Sequence, residues 1–181
     1  MGGVSMKMDT RDFNRMLLRM DNVHEAAVSA SMNRGLAKAR TAAKREIASE
    51  ADIQPQRLVS RRMRIKRATK ARLNGALRIL TNPIPAIKLG AKDLYHEGAR
   101  TGKGVTARGG RHWRDAFIRP GKGANWQVFE RRAASRLPLR AIKIPIKDIA
   151  ERKIKEKVED ARDWIAKEIP RQIMWRVAKR G

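Results

Sequence analysis

From Gln54 to Lys92 the chain carries no acidic residue, and Arg57, Arg61, Arg62, Arg64, Lys66, Arg67, Lys70 and Arg72 crowd the first half of that stretch. A helix whose surface is laced by neighbouring opposite charges cannot form there, because nothing within reach supplies the opposite charge. The segment therefore belongs at a surface, answered either by water or by a foreign polyanion. The whole chain leans the same way, with 43 Lys and Arg against 18 Asp and Glu in 181 residues, a net charge of +25. Solubility alone needs a net charge of only roughly 2–8. Self-repulsion in the compact state grows with the surplus, so an anionic partner or a buried place in an assembly is expected. Nucleic acid is the commonest such partner, because neutralising phosphates releases counterions without special geometry.

The length suits one domain. Residues 1–8 offer little to anchor them and read as a flexible N-terminus, with a single α+β domain over 9–181. Thr10 can cap a short helix carrying Phe13, Met16, Leu17 and Met20. After Asp21-Asn22, a longer helix places Val28, Met32, Leu36, Ala39, Ala43 and Ile47 on one thin, Ala-rich face. Gly35 lies inside it, either as a close-packing point or as a harmless substitution. Pro55 suits the first position of a short helix to about Arg62, followed by an extended piece. Leu77 and Ile79 then alternate with Arg78 as a strand. Ile84, Ile87 and Leu89 lie among Pro83, Pro85 and Gly90, which demands an edge or an irregular strand.

Residues 96–113 hold five glycines and four basic residues, and read as a long mobile loop. Strands are expected over 115–118 and 126–129, joined by the turn-rich 120–125, and again over 141–146. From Asp148, taken as a cap, the period changes to 3.6: Ile154, Val158, Ala161, Ile165 and Ile169 make one stripe. Pro170 should kink or break that helix, beyond which Ile173, Met174 and Val177 continue the pattern. The expected fold is α+β, with N-terminal helices, a central, mostly antiparallel sheet of about four or five strands, and a long C-terminal helix interrupted near Pro170.

No chemistry is visible. The chain has no cysteine, which excludes disulfides, thiol nucleophiles and cysteine-based zinc sites. His24, His96 and His112 share no metal-ligand spacing. His96-Glu97 could begin a HExxH motif, but Arg100 stands where the second histidine is needed. Gly102-Lys103 fails the Walker pattern at Glu97 and Gly104. No carboxylate pair shows an acid–base role, so a nuclease or ligase subunit lacks its clustered acids. The reading is no enzyme, no cofactor, no metal and no small-molecule substrate. Trp113, Phe117, Trp126 and Phe129 lie in or beside strands, where core packing is the expected use rather than base stacking. No recognition helix or finger appears. No apolar run approaches the ~20 residues of a membrane span, and the start lacks a signal peptide's apolar stretch, so no membrane partner and a host-cytoplasmic origin are expected. The eight basic residues from Arg57 to Arg72 are the candidate DNA- or polyanion-facing site. Composition alone also admits a basic, sequence-nonspecific nucleic-acid-binding protein of ribosomal or nucleoid type.

Four segments in order resemble the prophage minor tail protein Z family, the tail-completion proteins of lambda-like long-tailed phages. They are Val59–Thr69 followed by Ala71-Arg72-Leu73; Ile84–Gly90; Asp115–Ile118 followed by Trp126–Arg131; and Leu137–Pro145. With the Ala-rich N-terminal helix and the proline-interrupted C-terminal helix, the similarity runs from about Asp9 to Arg180. Asp115 stands where the family prefers glycine, and 96–113 is a loop of the variable kind. The resemblance implies a structural virion protein added late to the tail, at its head-proximal end, where tail joins head and the DNA end enters. It implies neighbours among the tail terminator, tail tube and connector proteins, and a homo-oligomeric ring, as a hexamer, around double-stranded DNA. It brings no catalytic residues to transfer.

Overall fold

The computed structural model describes residues 3–7, 22–94, 104–131 and 138–179. Its frame is a pair of long antiparallel helices, α1 (Asn22–Glu50) and α3 (Lys147–Ala178). Arg34 meets Glu168 at one end of the pair, and Glu50 meets Lys153 at the other. Both expected stripes, Val28 to Ile47 on α1 and Ile154 to Ile169 on α3, are buried in one core. The choice left open at Gly35 resolves as close packing: a Cβ there would stand 2.5 Å from Cδ1 and Cγ1 of Ile165. The alanines of α1 let the helices pack closely, and at Gly35 there is no room for a Cβ beside Ile165.

Helix α1 ends in a Schellman turn. Ile53 N–H donates to Ala48 O (2.7 Å), Asp52 N–H donates to Ser49 O (3.1 Å), and Asp52 takes the left-handed conformation at φ 47°. Arg111 completes this end, donating to the carbonyls of Ala51 (2.5 Å) and Asp52 (3.2 Å) and pairing with the Asp52 carboxylate at 3.5 Å. The short helix α2 (Arg57–Ser60) follows, shorter than the span expected from Pro55.

The strands do not form one central sheet of four or five. Among the described residues they make four small antiparallel sheets. The first joins β1 (Gly3–Lys7), β3 (Ala76–Leu80) and β2 (Met63–Lys66), with β3 in the middle. The second pairs β4 (Ile84–Pro85) with β11 (Lys143–Ile144). The third holds β5 (Lys92–Asp93), β6 (Val105–Ala107) and β7 (Arg111–Trp113). The fourth holds β8 (Ala116–Pro120), β9 (Trp126–Arg131) and β10 (Leu139–Ala141).

The division has a local cause. Ile142 donates to Val128 O at 2.9 Å and accepts from Ala86 N at 3.0 Å, so the expected strand 141–146 changes partner midway. After Pro85 the chain turns into a 3-10 helix (Ala86–Leu89), because the proline cannot extend the ladder. Ala86, Val105, Ala116, Val128 and Ile142 form a second, smaller core beneath these sheets, and Trp113 packs against both cores.

Several other expectations change. Gly3–Lys7, read as part of a flexible terminus, pairs with β3 from Gly3↔Leu80 to Lys7↔Ala76; the central strand leaves one edge open, and a terminal strand fills it. Of the expected mobile loop, 104–113 carries the β6–β7 hairpin, whose turn is supplied by Gly109 and Gly110 at positive φ; 96–103 lie outside the described residues. The Thr10 helix also lies outside them. Asp148 is not the cap: Ile146 occupies that position, and Asp148 sits in the first turn, where its charge favours the positive helix end. Pro170 does not interrupt α3, which runs helical to Ala178. Pro170 faces solvent, so water can hydrate the carbonyl that loses its partner. Phe117 and Phe129 are cross-strand partners with ring centroids 6.4 Å apart, but Trp126 is 59% exposed and outside any core.

Candidate polyanion-binding surface

The eight sequence-predicted residues fall into three neighbouring groups. Arg57 and Arg61 are exposed at the two ends of α2, and Arg62 follows half-buried. They line one cavity of about 530 Å³ together with Lys88 from the 3-10 helix. Arg62 is fixed there, donating from Nη1 to the Asn82 carbonyl at 2.5 Å. Burial pushes its guanidinium down from the ordinary arginine value.

Arg64 and Lys66 lie on the outer face of β2, because Met63 and Ile65 turn towards the core. Directly opposite Arg64, across the antiparallel ladder, stands Arg78 of β3, also exposed. Like charges in opposed positions repel and destabilise a sheet. Here the repulsion is built into the centre of the sheet.

Arg67, Lys70 and Arg72 are exposed on the connection from β2 to β3. That connection is held to α1 by Asn33, whose side-chain amide donates to Ala68 O and accepts from Ala68 N, both at 2.9 Å. A turn from Thr69 to Arg72, bonded in both directions, presents Lys70 at its tip. The cations are therefore arranged on rigid backbone rather than on a loose arm.

Among the described residues, none of these eight cations pairs with a carboxylate. Several acids are engaged elsewhere. Lys157 meets Glu46 at 2.9 Å, Glu156 at 2.6 Å and Asp160 at 3.2 Å, and Lys153 meets Glu46 at 3.1 Å. Hydrogen bonds from Lys157 and then Lys153 hold the Glu46 and Glu156 carboxyls below their usual range. The same bonds raise the two ammonium groups. The network links α1 to α3, and among the described residues no carboxylate pairs with the basic surface.

Two residues of this surface escape a reading by charge density alone, Arg78 and Lys88. Each stands singly between apolar neighbours, and only the fold adds it to the cluster. The signal for Arg78 was its outward phase between Leu77 and Ile79. Among the described residues, no group of three or more His, Asp or Glu side chains could hold a metal ion. No described helix is long and apolar enough to cross a membrane. What the arrangement offers chemically is a fixed array of guanidinium and ammonium groups, suited to holding a polyanion.

Such a face on an α+β frame is a candidate binding surface, and comparison gives the class of the chain. The chain belongs to the prophage minor tail protein Z (GPZ) family, whose model matches residues 10–180. It is similar to the tail completion protein of Escherichia phage N15, 32% identical over 96 residues, which are 51% of this chain and 52% of that one. The chain thus spans about half the length of the curated relative it matches. No solved structure matches it.

Proposed function

We propose that this protein is a structural tail-completion component of a phage virion, placed at the head-proximal end of the tail. In this reading it forms one subunit of a homo-oligomeric ring, a hexamer in keeping with tail-tube symmetry, and double-stranded DNA passes through the ring. Its neighbours are the tail terminator, tail tube or connector proteins, and its work is assembly rather than catalysis. The observation that carries the reading is the unanswered basic surface. Arg64, Lys66 and Arg78 on one sheet face, with Arg67, Lys70 and Arg72 beside them, form a pre-arranged array with no carboxylate paired to it among the described residues. Sequence-blind phosphate contact needs such an array and no base-reading element. Family membership and the named function of the N15 relative support the placement in a tail.

The test is complementation of a phage lacking this protein, read by cryo-electron microscopy of the particles. Wild-type protein should appear as a ring at the head–tail joint. The Arg64→Gln, Lys66→Gln, Arg67→Gln, Arg78→Gln variant should fold and join, yet give particles whose DNA end is misplaced or lost. Normal, infectious particles from this variant would refute DNA contact by the surface. Tight binding of free DNA by the monomer, with none of the protein in particles, would favour a nucleoid-type role instead.

A further inference from the structure

The cavity beside α2 differs from the rest of the basic surface in having an apolar floor. Arg57, Arg61 and Lys88 stand on its rim, while Leu58, Leu80 and Ile84 line it. Leu80 is 48% exposed, one of the few large aliphatic side chains of the described residues left so open. Its position follows from the fold: Ile79 turns inward on β3, so Leu80 must turn out, and its N–H bonds to Arg62 O at 3.0 Å. Arg62, tied to the Asn82 carbonyl, closes one wall.

A DNA backbone brings phosphates on polar sugars and has nothing to cover a leucine. A polypeptide segment that carries both carboxylates and an aliphatic side chain satisfies rim and floor together. An apolar centre inside a polar rim is also the common anatomy of protein interfaces. We propose that this cavity is a docking site for an acidic, leucine-type segment of a partner protein, separate from the surface that meets DNA. Arg57, Arg61 and Lys88 hold its carboxylates, and Leu58 and Leu80 cover its aliphatic side chain. The position next to Arg64 sets a protein contact and a nucleic-acid contact side by side on one subunit.

The experiment uses the full chain and three fluorescent probes in anisotropy titrations. They are a short peptide of aspartates and glutamates with one central leucine, its twin with serine for leucine, and a short DNA duplex. The leucine peptide should bind about tenfold more tightly than the serine twin, the value expected for burying part of one aliphatic side chain. Leu80→Thr, which keeps strand propensity, should remove that difference and leave duplex binding unchanged. Arg57→Gln with Arg61→Gln and Lys88→Gln should weaken both peptides by at least tenfold. Arg64→Gln with Lys66→Gln and Arg78→Gln should weaken the duplex while preserving the leucine preference, so failure of the DNA reading is seen separately. Equal binding of the two peptides to wild type would overturn the proposal. So would loss of duplex binding in Leu80→Thr, which would make DNA the occupant of the cavity.

Discussion

Arg78 offers a perturbation in which stability and binding should move in opposite directions. It stands directly opposite Arg64 on adjacent antiparallel strands, both side chains exposed, with no carboxylate paired to either among the described residues. Like charges in that relation cost about 0.2–1 kcal/mol. Arg78→Gln removes the repulsion without opening a cavity, because the side chain lies outside the core. Urea unfolding at low salt should therefore show a gain of about 0.5 kcal/mol, shrinking as salt screens the pair. Arg64→Gln should give a similar gain, and the double variant no more than either alone, since one repulsion cannot be removed twice. DNA affinity should respond differently. If about six phosphates are neutralised per subunit, the slope of log affinity against log salt is roughly −5. Each lost cation should flatten that slope by about 0.9, and the two losses should add. Additive stabilities would refute the pairing, and an unchanged salt slope would refute phosphate contact by these two residues.

Two further predictions concern the frame. Gly35→Ala should gain about 1 kcal/mol in helix propensity but lose more, about 1–3 kcal/mol, by driving a methyl into Ile165. Urea unfolding should show a net loss, and a stabilised variant would deny the close approach of α1 and α3. The Glu46 and Glu156 carboxyls titrate below their usual range because Lys157 and then Lys153 bond to them. Their contribution is present above the unfolded carboxyl value of about 4.3 and is lost as pH falls through the lower folded value. Glu46→Gln should flatten the acid limb of a stability–pH profile, and a limb unchanged by the substitution would remove the network from the account.

The helices were legible because their signal is local. A stripe such as Ile154, Val158, Ala161, Ile165 and Ile169 can be satisfied by one long helix, and all five are buried. The sheet arrangement was not legible, because it depends on which distant segment bonds to a given backbone. Nothing in Ala141-Ile142-Lys143 announces that Ile142 hands the chain from β9 to β4. Gly3–Lys7 was missed for the same reason, since its strand exists to fill the open edge of β3. Pro170 misled because the rule counts the lost hydrogen bond and not its exposure to water. At the candidate surface, density along the chain located Arg57 to Arg72, but Arg78 and Lys88 join it only through pairing and folding. The sequence reading also treated Arg62 as a free cation like its neighbours. Its bond to the Asn82 carbonyl makes it part of the cavity wall, so it is unsuited to a charge-neutralising test.

The partition of charge bears on how assembly must proceed. On α1 and α3, Glu46, Glu50, Glu156 and Asp160 are used within the subunit, paired with Lys153, Lys157 or Arg152, and Glu168 pairs with Arg34. They fasten two helices and cannot also neutralise the surface around β2. The net charge of +25 is thus both large and concentrated. On the proposed reading, a ring of such chains would bring those surfaces towards one axis, where their mutual repulsion opposes closure. DNA in such a channel would reverse the sign of that effect, since each phosphate contacted would release counterions and draw the subunits inward. An acidic partner segment in the cavity beside α2 acts in the same direction from the side. Ring formation should accordingly depend on a polyanion being present and weaken with salt. Purified protein would then remain dispersed at physiological salt until duplex DNA is added, as sedimentation velocity can show. Stable rings formed by the protein alone, persisting in high salt, would mean that apolar contacts close the ring and that the basic surface plays no part in it.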